Sequence, residues 1–87
     1  MQRITDKDLA AVVARINRTT GSPLVPYVGN MGQVGNYHIS GAYGGVALHR
    51  MHTEGGGVAD VFQRGHVPKR DLYELMHAYL AGMEVAK

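Results

Sequence analysis

Apolar positions along the chain fall into two runs of helical period on either side of a stretch that alternates. Leu9, Val12, Val13 and Ile16 recur at i, i+3, i+4 and i+7, one face of a helix, while Lys7, Ala11, Arg15 and Arg18 fall nearly opposite. Thr5 is placed to cap this helix, with Asp6 and Asp8 in the first turn and Gly21 as its stop, which predicts a helix over about 5–20. A second helix is predicted over about 68–82, opening at Pro68 and turning Leu72, Leu75, Met76, Tyr79 and Met83 inward.

Between them, Val34 to Ser40 and Val46 to Met51 read as strands joined by the four-residue loop Gly41-Ala42-Tyr43-Gly44. With Ser40 opposite Gly45, Ile39 faces Val46 and Tyr37 faces Leu48, giving an apolar face. The other face collects Asn36, His38, Ser40, Ala47 and His49. Leu24 to Val28 adds a third strand, held to an edge by Pro23 and Pro26, with Gly29-Asn30-Met31-Gly32 as the turn that follows. Beyond the glycine-rich loop 54–57, Val61 and Phe62 are expected to tuck under the sheet. The chain therefore reads as one α+β domain over 1–87, ordered α-β-β-β-α, with both helices on one face of a small antiparallel sheet of two to three strands.

Composition sharpens this picture. A chain of 87 residues has room for a thin core, so self-association into a homo-oligomer is expected to help. Residues 21–53 carry Arg50 as their one charged side chain apart from histidine, and 21–57 hold ten of the twelve glycines. The net charge of +2 is too mild to mark a nucleic-acid binder without a basic patch. No cysteine is present, which removes disulfides, thiol nucleophiles and cysteine-based zinc sites. The opening Met1-Gln2-Arg3-Ile4-Thr5-Asp6 leads into no long apolar run, so neither signal peptide nor membrane span is expected.

Histidine is the main chemical resource: His38, His49, His52, His66 and His77. His49 and His52, three apart on a strand, point to opposite faces, and no HExxH motif or carboxylate cluster completes a coordination shell. No metal and no cofactor is expected. A Ser-His-acid set drawn from Ser40, His38 or His49 and Asp60 lacks a strained nucleophile turn or oxyanion loop, so a small His-dependent hydrolase ranks last among the readings. The glycine loops join strand to strand or lack the P-loop Lys, and so read as turns or as places of close backbone approach. Lys7, Arg15 and Arg18 share a helix face, and Lys69 and Arg70 begin the second helix. Together they make a candidate nucleic-acid surface, resembling in outline a double-stranded-RNA-binding domain but without that family's Lys-rich second-helix start. A solvated helix face is the ordinary account of the same residues.

A further resemblance spans almost the whole chain: Ile4-Thr5, Ser22-Pro23, Pro26-Tyr27, the run Gly35-Asn36-Tyr37-His38-Ile39-Ser40-Gly41-Ala42-Tyr43-Gly44-Gly45, Leu48-His49-Arg50-Met51, Gly56-Gly57-Val58, Asp60-Val61-Phe62, Pro68 and Leu72-Tyr73. These stretches resemble a family of small, mostly uncharacterised proteins encoded by tailed bacteriophages and prophages. The resemblance implies a phage product made in the host bacterial cytoplasm, an accessory, host-takeover or anti-defence factor rather than a shell protein. On that basis the chain is expected to be a non-enzymatic protein that binds or sequesters a host or defence component, either a protein or a small signalling molecule. Its expected surface is the open sheet face and hairpin loop: Asn36, Tyr37, His38, Ser40, Tyr43, His49 and Arg50.

Overall fold

The computed structural model describes residues 3–85. Helix α1 (Asp6–Thr20) begins with a capping box: the Thr5 hydroxyl accepts the Asp8 N–H, and the Asp8 carboxylate accepts the Thr5 N–H. That backbone bond is the main reason the Asp8 carboxyl sits below its ordinary pKa. Gly21, left-handed at φ 70°, ends the helix. Helix α2 (Lys69–Val85) starts directly after Pro68 and closes the fold.

Five short strands lie between the helices. β1 (Tyr27–Val28) and β2 (Met31–Gly32) form a hairpin of their own, while β3 (Tyr37–Ala42), β4 (Gly45–Met51) and β5 (Val58–Asp60) form an antiparallel sheet with β4 in the centre. The expected α+β arrangement therefore holds, with helices bracketing three main strands, but the third main strand differs from the expected one. Leu24 to Val28 does not join the main sheet. Instead Gly29, at φ 61°, turns the chain back so that Val28 faces Met31 and Tyr27 faces Gly32. The main sheet's third strand is β5, pairing His49 with Asp60, Arg50 with Ala59 and Met51 with Val58.

The β3–β4 register also differs from the expected one. Ser40 lies opposite Ala47, Ile39 opposite Leu48 and Tyr37 opposite Arg50. The loop is two residues, Tyr43-Gly44, both at positive φ (55° and 74°), the backbone signature of a type I′ turn. Such a turn follows the right-handed twist of the strands, so Gly41 and Ala42 extend β3 rather than looping out. Because the displacement is two residues, an even number, the faces keep their expected assignments.

Both helices lie against the face bearing Tyr37, Ile39, Val46 and Leu48. Leu9, Val12, Val13 and Ile16 of α1 and Leu72, Met76 and Leu80 of α2 are buried there, with Val61 and Phe62 packed at the margin. At the edge of β3, the buried Asn17 bridges helix to strand. Its amide Nδ2 donates to the Tyr37 carbonyl at 3.0 Å and its Oδ1 accepts the Tyr37 N–H at 2.8 Å, occupying the place of a missing neighbouring strand. Among the described residues no helix is long and apolar enough to cross a membrane.

Candidate functional site

The sheet face turned away from the helices carries His38 and Ser40 on β3 and His49 on β4, with Tyr43 at the hairpin tip. After β5 the chain returns across this region. The Asp60 carboxylate accepts the N–H groups of Phe62, Gln63 and Gly65, folding residues 61–65 into a compact loop. Val67 then pairs with Val46 through both backbone bonds, at 2.8 and 2.9 Å. There the 66–67 backbone runs so close to Gly45 that a Cβ at that position would meet the Val67 carbonyl at 2.9 Å.

This return brings His66 onto the face. Its Nε2 lies 3.1 Å from the Ser40 hydroxyl, and its ring stands 6.1 Å from that of His49 and 5.8 Å from that of Tyr43. His49 in turn stands 6.0 Å from its cross-strand partner His38. Three imidazoles therefore form a row, with a phenol beyond one end. His38, Ser40, His49 and His66 are half-buried, whereas Tyr43 is 98% exposed. Among the described residues no group of three or more His, Asp or Glu is arranged to hold a metal ion.

Three of the seven residues expected on this face have other roles. Tyr37 points into the core at 3% exposure, where its hydroxyl meets that of Tyr79 at 2.8 Å. Burial, helped by that bond and by the neighbouring Tyr79, pushes its pKa up to about 12 against an opposing pull from Arg50, so it stays a neutral phenol. Arg50 lies opposite Tyr37 in the register, its guanidinium 5.0 Å from the Tyr37 ring centroid, a cation–π contact on the helix side. Asn36 is fully buried and acts from beneath the face. Its Nδ2 donates to the Pro23 carbonyl, which can only accept, so its Oδ1 must face His38 Nδ1 at 3.1 Å. That contact is a hydrogen bond when Nδ1 carries the proton, which fixes the His38 tautomer.

Burial, and secondarily the His49 ring, lowers the His38 pKa from its ordinary 6.5. A histidine depressed in this way binds its proton more weakly folded than unfolded. Its contribution to stability is therefore complete above pH 6.5 and is lost as pH falls from 6.5 towards the folded value. The melting temperature should drop between pH 7 and pH 5 in the native chain and drop less in His38→Gln. Equal slopes would show that His38 does not carry this dependence.

The hydrolase arrangement is not assembled here. Ser40 has a histidine partner in His66, but both Asp60 oxygens are taken up by backbone amides rather than orienting an imidazole. Of grooves of about 320, 250 and 250 Å³, one of the smaller two is bordered by His38 and Tyr37 at the β3 edge, while Ser40, Tyr43, His49 and His66 line none of them. The basic set is partly neutralised: Arg15 pairs with Glu84 at 3.1 Å and Lys69 with Asp6 at 2.9 Å, which joins the starts of the two helices, while Lys7 and Arg18 sit on the exposed side of α1 and Arg70 lies in the first turn of α2. The chain matches no protein-family model, no curated protein and no solved structure.

Proposed function

We propose that this chain is a non-enzymatic binding protein of tailed-phage origin. It works in the host bacterial cytoplasm by stoichiometrically occupying a host or defence protein through the Tyr43 turn and the imidazole row beside it. The observation that carries this reading is Tyr43 itself. A bulky residue at φ 55° occupies backbone space that Gly and Asn fill with less strain, and its ring lies almost wholly in water. Neither property helps the fold. A rigid aromatic held out from a tight turn is, however, the kind of side chain that anchors a protein interface.

The shape of the face favours a protein over a small signalling molecule, since small ligands are held in concave sites that bury most of their surface. Here the aromatic projects and the imidazoles lie on an open sheet. The resemblance of the Gly35–Gly45 run to phage proteins supplies the setting.

The test is affinity capture from bacterial lysate with the native chain and with Tyr43→Asn, each quantified by mass spectrometry. One host protein enriched at near-equal molar amount by the native chain, and lost with the variant, supports the reading. Equal capture by both overturns the Tyr43 site. Recovery of nucleic acid that is released by salt moves the function to the basic helix face. Turnover of a substrate with a pH profile in the histidine range replaces binding with catalysis.

A further inference from the structure

We infer that the β1–β2 arm is a self-association surface and that its occupant is the same arm of a second copy. The arm is separate from the Tyr43 turn and does not depend on how that turn is read, and it meets the imidazole row only at His38, which lines the groove beside the arm. Leu24, Val25, Tyr27, Val28, Met31 and Val34 lie within eleven consecutive residues and are between 48% and 63% exposed. Side chains of this size left half bare present on the order of 500 Å² of apolar surface in all, divided between the two sides of the hairpin, with the cross-strand pair Val28 and Met31 on one side and Tyr27 on the other.

The arm is a firm platform rather than a loose flap. The Gly32 N–H donates to the Glu54 carbonyl at 2.7 Å, the Gly35 N–H to the Met51 carbonyl at 2.9 Å, and the Asn36 amide to the Pro23 carbonyl at 2.8 Å. Little conformational freedom is left to lose when a partner seats on it. The apolar surface also continues beyond the arm: Leu24 and Pro26 border a groove of about 250 Å³ whose other walls include Ala10, Val13, Ala14 and Ile39. Arm and groove together offer on the order of 550 Å² per copy, short of the roughly 800 Å² of a standard interface and in the range of a weak, concentration-dependent one.

The absence of charge identifies the occupant. From Gly21 to His49 the sequence contains no Asp, Glu, Lys or Arg, although the chain as a whole carries a net +2. Two copies can therefore bring these segments together without opposing like charges, and a two-fold axis lets one patch serve both sides. A partner recognised by charge would find no ionised side chain within the arm itself, the Arg50 guanidinium beside Gly35 being the charge at its border.

The test measures molar mass by light scattering across a rising concentration series, for the native chain and for the double variant Val28→Thr, Met31→Lys. The two residues face each other across the hairpin, so the variant keeps a β-branched residue on one strand and places one charge on the other. The native chain should reach twice 9.4 kDa, and the variant should stay at 9.4 kDa with an unchanged helical circular-dichroism signal. Amide hydrogen exchange on the native chain covers the case in which the variant misfolds: protection should rise with concentration within residues 24–34. A native chain that stays at 9.4 kDa throughout, a folded variant that still dimerises, or protection gained only elsewhere would each overturn the inference.

Discussion

Replacing Asn17 with leucine is expected to lower folding stability by about 3 kcal/mol, because it leaves two buried backbone groups without partners. Asn17 is 1% exposed, and its amide meets both the N–H and the carbonyl of Tyr37. Leucine fills similar space and adds apolar burial, so the loss comes from the unmet N–H and C=O at the start of β3, not from a cavity. A domain of this length has about 4–13 kcal/mol of stability in all, so the change removes a large share of it. In urea unfolding the midpoint should fall substantially with the slope unchanged. The adjacent Arg18→Leu, on the exposed side of the same helix, should stay within about 0.5 kcal/mol. A loss below about 1 kcal/mol in Asn17→Leu would mean that water or a shifted backbone satisfies Tyr37, and that Asn17 does not hold the strand edge.

The same residue shows which parts of this molecule can be read from sequence. Helix α1 is legible because its periodicity, cap and stop agree: the Leu9–Ile16 stripe, Thr5 with Asp8, and Gly21 all point to the same boundaries, whereas α2 is legible at its Pro68 start but runs through the expected stop at Gly82 to Val85. The α1 stripe also marks Asn17, four residues after Val13, as a polar amide on an apolar line. That spacing is the signal by which its burial could be foreseen. The faces of β3 and β4 are legible for a related reason, since alternation fixes which residues share a side. The register is not, because Gly41-Ala42-Tyr43-Gly44-Gly45 permits several turns and residue type does not mark Tyr43 as left-handed.

His66 and the third strand lie beyond this reach. His66 joins Ser40 across 26 residues, through a return that depends on the Asp60 loop and a single bridge between Val46 and Val67. None of these leaves a local periodic trace. β5 is three residues long and follows a glycine run, too short for alternation to identify. The candidate site is thus half visible. His38, Ser40 and His49 share a face as the alternation predicts, Tyr43 stands at the hairpin tip against His66, Tyr37 and Arg50 are claimed by the helix side, and Asn36 is used to fix the orientation of His38.

Tyr43→Asn is expected to separate stability from binding. Asparagine is among the residues best suited to the first central position of a type I′ turn, whereas a bulky aromatic in the left-handed region is strained. Since the ring is 98% exposed, its removal forfeits little burial. The edge-on contact with His66, with centroids 5.8 Å apart, is the main interaction lost. Relief of backbone strain outweighs it, and the variant should be more stable than the native chain by about 0.5 kcal/mol. Affinity should move the other way. An aromatic anchor near the centre of an interface is worth about 2 kcal/mol or more, so the dissociation constant for the captured host protein should rise by roughly 30-fold. Calorimetry of binding and of unfolding on the same two proteins measures both quantities. A variant that is less stable with affinity unchanged would make Tyr43 a structural residue, its ring supporting the 66–67 return rather than meeting a partner. A gain in stability together with a loss of affinity is the pattern expected where a protein keeps a strained residue for function, because selection for the fold alone would have placed asparagine or glycine at that turn.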